Sequence, residues 1–162
     1  MTPESEIEED SPMNVPLIGV GRLEPLPYVK TILVTGVAGF IGSWMTRHLI
    51  YQYHNNYNII CLDKMGNVSS INNILELIQF SSFRFIHGFI TNPKTVSFAL
   101  EAYQVDCVMH FAASGHVQNS FEDPFTFTEN NVMGTHVLLD AIKNNSNISL
   151  DILFSFSTPW LP

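Results

Sequence analysis

Three glycines stand where a chain could bind a phosphate with its backbone. Gly36, Gly39 and Gly42 lie in the segment TGVAGFIG, which follows the apolar run TILVT and precedes a helical pattern. The first glycine allows a tight turn, the second lets the backbone approach a pyrophosphate, and the third permits close helix packing. The helix N-terminus adds free N–H groups and a partial positive charge. The residues predicted to border the phosphates are Gly36, Gly39, Phe40, Ile41 and Gly42.

A carboxylate follows at the distance that a dinucleotide needs. Asp63 closes the second apolar run, 21 residues after Gly42. There it can accept hydrogen bonds from both hydroxyls of the adenosine ribose, and it would repel a 2′-phosphate. NAD is therefore predicted over NADP, although Lys64, which is also predicted to border the cofactor, places a positive charge next to the acid. The alternative is a glycine turn and a strand-end aspartate that coincide by chance.

These residues need a sheet with loops at one edge, and the rest of the chain provides the pattern for one. Five apolar runs are predicted to be strands buried on both faces, and helical spacing separates them. This alternation predicts an α/β fold, a Rossmann-type doubly wound parallel sheet with strand order 3-2-1-4-5. The predicted strands are 31–35, 58–62, 83–86, 106–111 and 150–156, and the predicted helices are 40–53, 70–79, 94–103 and 126–144.

Length and composition indicate one domain with an atypical start. The chain has 162 residues, of which 46% are hydrophobic, enough for a single core. Residues 1–29 are acidic and rich in proline, which predicts a mobile leader. Residues 30–158 form the predicted NAD-binding domain, and residues 159–162 a short tail.

Charge and cysteine usage exclude several classes of function. The net charge is −8 and no basic stripe is present, so a nucleic-acid partner is not expected. Cys61 and Cys107 lie inside apolar runs and are predicted to be buried side chains rather than metal ligands, disulfide partners or nucleophiles. No signal peptide and no membrane-spanning run is found, which predicts a cytoplasmic protein.

Longer motifs resemble one enzyme family. TGVAGFIG resembles the signature of extended short-chain dehydrogenases, the NAD(P)-dependent epimerase/dehydratase family. LDK at 62–64, HFAA at 110–113 and FTENNVMGTHVLL at 127–139 are similar to its dTDP- and UDP-glucose 4,6-dehydratases. These enzymes convert a nucleotide-linked glucose to the 4-keto-6-deoxy sugar with NAD. The resemblance runs from about residue 30 to residue 158.

The resemblance implies roles for further residues. Ile90, Phe111, Ala112 and Ala113 would border the cofactor, and Asn131 with Thr135 would anchor the last helix against the loop after the fourth strand. His116 would lie beside a sugar nucleotide or be structural, and His110 is expected to be a buried core histidine. The family usually has an aspartate for the adenine amino group after the third strand, where Phe89 stands here.

The catalytic part of the family pattern is incomplete. Thr158 matches the family's threonine, but none of the five tyrosines has a lysine four residues on, and no Asp/Glu pair follows Thr158. We therefore expect a C-terminally truncated chain that lacks the later strands and the lobe for the nucleotide sugar, and that is inactive alone. The alternative is a non-catalytic NAD-binding or interaction module that pairs with an intact relative. The partner expected for the chain is accordingly a second copy, in a homo-oligomer, or a relative, in a hetero-oligomer.

Overall fold

The computed structural model describes residues 24–66, 69–115, 117–148 and 150–154. The strands are β1 (Thr31–Thr35), β2 (Asn58–Asp63), β3 (Phe83–His87), β4 (Cys107–His110) and β5 (Leu150–Phe154). The helices are α1 (Phe40–Tyr53), α2 (Pro93–Ala102), α3 (Val117–Glu122), α4 (Pro124–Thr128) and α5 (Gly134–Lys143). Two 3₁₀ turns (Ile71–Asn73 and Leu75–Gln79) and a π-helical turn (Glu129–Met133) complete the elements.

All five strands form one parallel sheet in the order β3-β2-β1-β4-β5. This confirms the predicted Rossmann-type topology. In the central strand, Leu33 is paired with Ile60 on one side and with Val108 on the other. Because the strands are parallel, the loops after β1, β2 and β4 meet at one edge of the sheet, where open α/β sheets bind ligands.

Helices cover both faces of the sheet, as alternating strands and helices require. On one face, Ile32 and Val34 lie in one cluster with residues of α1 and with Leu77 of the second 3₁₀ turn. On the other, Leu33 packs with α2 and α5. All residues of β1 are buried, but β3 is only partly buried because it is the edge strand of the sheet. The prediction that every strand is buried on both faces is therefore wrong for β3.

Two predicted helices take other forms. Residues 70–79 form 3₁₀ turns instead of an α-helix. The stretch predicted at 126–144 continues α4 through the π-helical turn into α5. By contrast, α1 has the predicted bounds, and α2 begins one residue early at Pro93, after Asn92 accepts hydrogen bonds from the N–H groups of Lys94 and Thr95.

At the opposite end of the sheet, where the strands have their amino ends, one carboxylate binds the start of β1. Oδ2 of Asp106 accepts hydrogen bonds from the N–H groups of Lys30 and Thr31, at 2.7 and 2.8 Å. Before them, Val29 is 1% exposed and belongs to the core, and the N–H of Leu26 donates to the hydroxyl of Tyr57 at 2.7 Å. These last residues of the predicted leader therefore pack on the domain.

Within the described part of the chain, the helices are all too short or too polar to span a bilayer.

Candidate functional site

A cavity of about 640 Å³ opens at the edge where the strands have their carboxyl ends. Its walls contain every residue that was predicted to border the cofactor, whether from the glycine segment, from the end of the second strand or from the family resemblance. Those residues are Gly36, Gly39, Phe40, Ile41, Gly42, Asp63, Lys64, Ile90, Phe111, Ala112 and Ala113. Residues from four separate loops are thus brought to one site.

The glycine loop is held in a shape that side chains would disrupt. Gly36 has a φ of +75°, and a Cβ there would lie 2.6 Å from the backbone N of Ala112. A Cβ on Gly42 would overlap the carbonyl oxygen of Gly36. The turn therefore fits closely between β4 and α1 because both positions lack side chains.

The N-terminus of α1 faces the cavity without compensation from side chains. Gly39 is the N-cap, so no side chain caps the helix, and its first turn contains no acidic residue. The first N–H groups of a helix have no partner within it and carry the positive end of the helix dipole. This wall of the cavity is suited to an anionic group such as a phosphate.

Asp63 joins the end of β2 to the glycine loop. Its side chain is 5% exposed, and Oδ2 accepts a hydrogen bond from the N–H of Ala38 at 2.9 Å. Oδ1 accepts from the N–H of Met65 at 2.7 Å and from the hydroxyl of Ser69 at 3.3 Å. A carboxylate has about four acceptor positions, so these three bonds leave capacity for a ligand hydroxyl.

The thiol of Cys61, on the same strand, is buried and free. Burial raises the pKa of this thiol well above its ordinary value, and the nearby carboxylate of Asp63 adds to the shift. Such a thiol stays protonated and unreactive. Cys107 is also buried, and both cysteines belong to the core, so the structure agrees with the prediction that both are core side chains.

His110 lies at the end of β4 in a directed chain of hydrogen bonds. The hydroxyl of Thr35 accepts from the N–H of Ala112 at 3.3 Å and lies 2.6 Å from Nδ1 of His110. The hydroxyl of Thr135 donates to the carbonyl of Asn131 at 2.7 Å and lies 3.1 Å from Nε2. A consistent assignment has Thr35 donating to Nδ1 and Nε2–H donating to Thr135.

This assignment requires a neutral imidazole. Burial lowers the pKa of His110 from 6.5 to about 4, since the charged form would lose its hydration. The prediction that His110 is a buried core histidine is confirmed. The predicted anchor of the last helix is also found, because Thr135 reaches β4 through His110.

Two consecutive asparagines hold the loop after β4. Asn131 accepts from the N–H of Ser114 at 2.7 Å and donates to its carbonyl at 3.0 Å. Asn130 donates to the hydroxyl of Ser114 at 3.3 Å and accepts from Nζ of Lys64 at 2.8 Å. In an α-helix, adjacent residues point in different directions. Asn130 and Asn131 are adjacent, yet both contact Ser114. Both belong to the π-helical turn, a feature that often marks functional sites.

Several other residues of the cavity were not predicted from the sequence. Asn130 and Ser114 line it, as do residues of α4 and the loops around them. The signal available for Ser114 was its position after a parallel strand, at the edge where ligands bind. Phe89, which stands in place of the family's aspartate, lines the cavity and is 52% exposed. His116 and Thr158 lie outside the described residues.

The family model described as GDP-mannose 4,6 dehydratase matches residues 33–158. A trifunctional UDP-glucose 4,6-dehydratase, 3,5-epimerase and reductase of Arabidopsis thaliana is 42% identical over 119 residues, which are 74% of this chain and 18% of that protein. A dTDP-D-glucose 4,6-dehydratase of Dictyostelium discoideum is 41% identical over 117 residues, 72% of this chain and 27% of that protein. This chain therefore spans less than a third of these relatives.

A solved structure gives the same result. The dTDP-glucose 4,6-dehydratase DesIV of Streptomyces venezuelae, determined with NAD and TYD bound, matches with a TM-score of 0.66 and 34% identity. The match covers 71% of this chain and 36% of that one. In sequence and in fold, the chain belongs to the GDP-mannose 4,6-dehydratase family, with dTDP- and UDP-glucose 4,6-dehydratases among its relatives.

Proposed function

We propose that the chain binds NAD in the cavity at the carboxyl edge of the sheet and supplies the dinucleotide-binding part of a nucleotide-sugar 4,6-dehydratase. The observation that carries this proposal is the convergence of all eleven predicted cofactor residues on one cavity. The NAD bound to DesIV, a relative with the same fold, supports the choice of cofactor.

The residues present fit such a group. The uncapped N-terminus of α1 and the open side of Gly39 would receive the pyrophosphate, because a Cβ on Gly39 would meet only the carbonyl of Gly36, at 3.3 Å. Asp63 would accept a hydrogen bond from a hydroxyl of the adenosine ribose at its remaining acceptor position. Phe89 and Ile90 would border the adenine.

The other half of the dinucleotide would lie along the end of β4. Ala112 and Ala113 offer small side chains there, and Phe111 adds an apolar wall. The nicotinamide accepts a hydride when bound. The chain's own contribution is to position the ring beside a loop that Asn131 fixes through the backbone of Ser114.

Titration calorimetry with NAD tests the proposal on the full chain. We expect about micromolar affinity for wild type. Asp63→Ala should weaken binding by at least about tenfold, because a ligand hydroxyl loses a charged acceptor. Ser69→Ala is the matched control, since it removes one hydrogen bond to Asp63 but leaves the carboxylate in place. Circular dichroism should report folded protein for all three.

Two results would contradict NAD binding. One is a folded wild-type chain that shows no heat of binding at high NAD concentration. The other is an Asp63→Ala variant that binds as tightly as Ser69→Ala.

We further propose that the chain alone does not dehydrate a sugar nucleotide. None of its tyrosines has the lysine that would activate it as a base, and general acid and base groups each contribute about 10² to 10⁴-fold to rate. Incubation with NAD and dTDP-glucose or UDP-glucose should give no 4-keto-6-deoxy product. Product formed by the purified chain would refute this part of the proposal.

A second candidate function is association with another copy or an intact relative. It is favoured by large apolar side chains that are exposed on α3, α4, the π-helical turn and α5. They are Phe121, Phe125, Val132, Met133 and Leu139, between 42% and 86% exposed. Sedimentation of wild type and Phe125→Ser would test it, and monomeric behaviour of wild type at micromolar concentration would argue against it.

A further inference from the structure

We propose that Asn130 determines cofactor specificity by holding the ammonium of Lys64 away from the 2′ position of the adenosine ribose. The inference rests on the proposed function, because it concerns the same cavity and the same dinucleotide. It assigns to Asn130 a role that is separate from contact with the ligand.

Lys64 is the residue that could favour the wrong cofactor. Among the described residues that line the cavity, it is the only lysine or arginine. It directly follows Asp63, the carboxylate predicted to receive the ribose hydroxyls. A lysine ammonium on its flexible stem is a good partner for a phosphate, so a free Lys64 would attract the 2′-phosphate that Asp63 repels.

The ammonium is instead directed across the cavity. Nζ of Lys64 donates to Oδ1 of Asn130 at 2.8 Å, although the two residues are 66 positions apart. One residue is at the end of β2 and the other is in the π-helical turn, so the bond connects two walls of the site.

The acceptor is itself fixed in orientation. Nδ2 of Asn130 donates to the hydroxyl of Ser114 at 3.3 Å, which leaves Oδ1 facing Lys64. Ser114 is held in turn by the two bonds from Asn131 to its backbone. An amide with both ends engaged cannot turn without losing bonds, so it keeps an acceptor towards the lysine.

The test is the ratio of the NADP Kd to the NAD Kd, measured by calorimetry on the full chain. Wild type should have a ratio well above one. Asn130→Ala should lower it by about tenfold, because the released ammonium gains a charge-assisted hydrogen bond to the 2′-phosphate. Asn130→Asp is the matched control: it keeps an acceptor for Lys64, so its ratio should not fall.

Two further variants separate the lysine from general damage to the loop. Lys64→Met combined with Asn130→Ala should return the ratio to the wild-type value, because the ammonium that would bind the 2′-phosphate has been removed. Ser114→Ala removes the bond that orients the Asn130 amide, while the two Asn131 bonds to the backbone of residue 114 remain, so its ratio should fall, but by less than in Asn130→Ala.

The outcomes distinguish this inference from the proposed function. An unchanged ratio in Asn130→Ala, or a gain that persists in the double variant, would overturn the role of Asn130 while NAD binding stands. A folded wild-type chain that binds neither dinucleotide would overturn the proposed function and this inference with it.

Discussion

Oδ2 of Asp63 accepts a hydrogen bond from the N–H of Ala38, in the middle of the glycine loop. The carbonyl of Ala38 is also engaged, by the N–H of Ser70 at 3.1 Å and by the side-chain amide of Asn73 at 2.8 Å. The loop is therefore held in shape by the protein's own bonds. A ligand that enters the cavity does not have to order the loop, and this lowers the entropy cost of binding.

Substitutions in the glycine loop should separate folding from binding. Gly42→Ala forces a methyl group against the carbonyl of Gly36 and should destabilise the protein by about 2 kcal/mol or more. Gly39→Ala meets that carbonyl only at 3.3 Å and should cost less than about 1 kcal/mol, yet its methyl borders the cavity and should weaken NAD binding. Urea denaturation and calorimetry on both variants measure the two effects, and equal loss of stability would contradict the prediction.

The stability should depend on pH through His110. Its pKa is about 4 in the folded protein and 6.5 in its ordinary state, so the unfolded chain binds the proton more tightly and stability rises with pH. The contribution is complete above about pH 6.5 and is lost as pH falls towards about 4, a change of about 3 kcal/mol.

Urea denaturation of wild type and His110→Gln over this pH range isolates the effect, since glutamine does not titrate. The wild type should lose about 3 kcal/mol more than the variant between about pH 7 and pH 4. Parallel curves for the two proteins would show that His110 does not carry this pH dependence.

Asp106 should affect stability and leave the cavity unaffected. Asp106→Ala removes the acceptor of two backbone N–H groups, from Lys30 and Thr31, and should cost about 1–3 kcal/mol. Asp106→Asn keeps one carbonyl oxygen and should cost less. Because these bonds lie at the opposite end of the sheet, NAD affinity should be the same in both folded variants. A loss of affinity without a loss of stability would contradict this prediction.

Asn131 should control the mobility of the loop after β4. In Asn131→Ala the N–H of Ser114 loses its acceptor, and hydrogen exchange at that amide should become faster by at least about tenfold. Ser114→Ala is the control, because both Asn131 bonds go to the backbone and survive it. Equal exchange rates at residue 114 in the two variants would show that the two hydrogen bonds of Asn131 do not protect the loop.

Sequence patterns predicted the sheet because its strands are short apolar runs. A run such as TILVT, with its β-branched residues, indicates a buried strand. The patterns failed at 70–79 for a physical reason. The buried side chains of Ile74 and Leu77 are three residues apart, a spacing that 3₁₀ and α-helices share. Periodicity alone therefore cannot decide between the two forms.

The site could be predicted where backbone geometry requires a particular residue type. It could not be predicted as well where side chains that are far apart in the sequence contact each other. Gly36 and Asp63 were found because a turn and a strand end specify them. The bond between Lys64 and Asn130 joins residues 66 positions apart, and the π-helical turn that contains Asn130 has no periodic signature. Only the folded arrangement reveals these contacts.

The close contact of Gly36 with β4 also determines when the site can form during synthesis. Gly36 lies against the backbone of residues 111 and 112, and the hydroxyl of Thr35 receives its bond from the N–H of Ala112, 77 residues later. At about 5–20 residues per second, a ribosome needs about 4 to 15 seconds to make that interval. During that time the glycine loop is already translated but lacks one of its walls. A nascent chain therefore gains its dinucleotide site only after β4 has emerged.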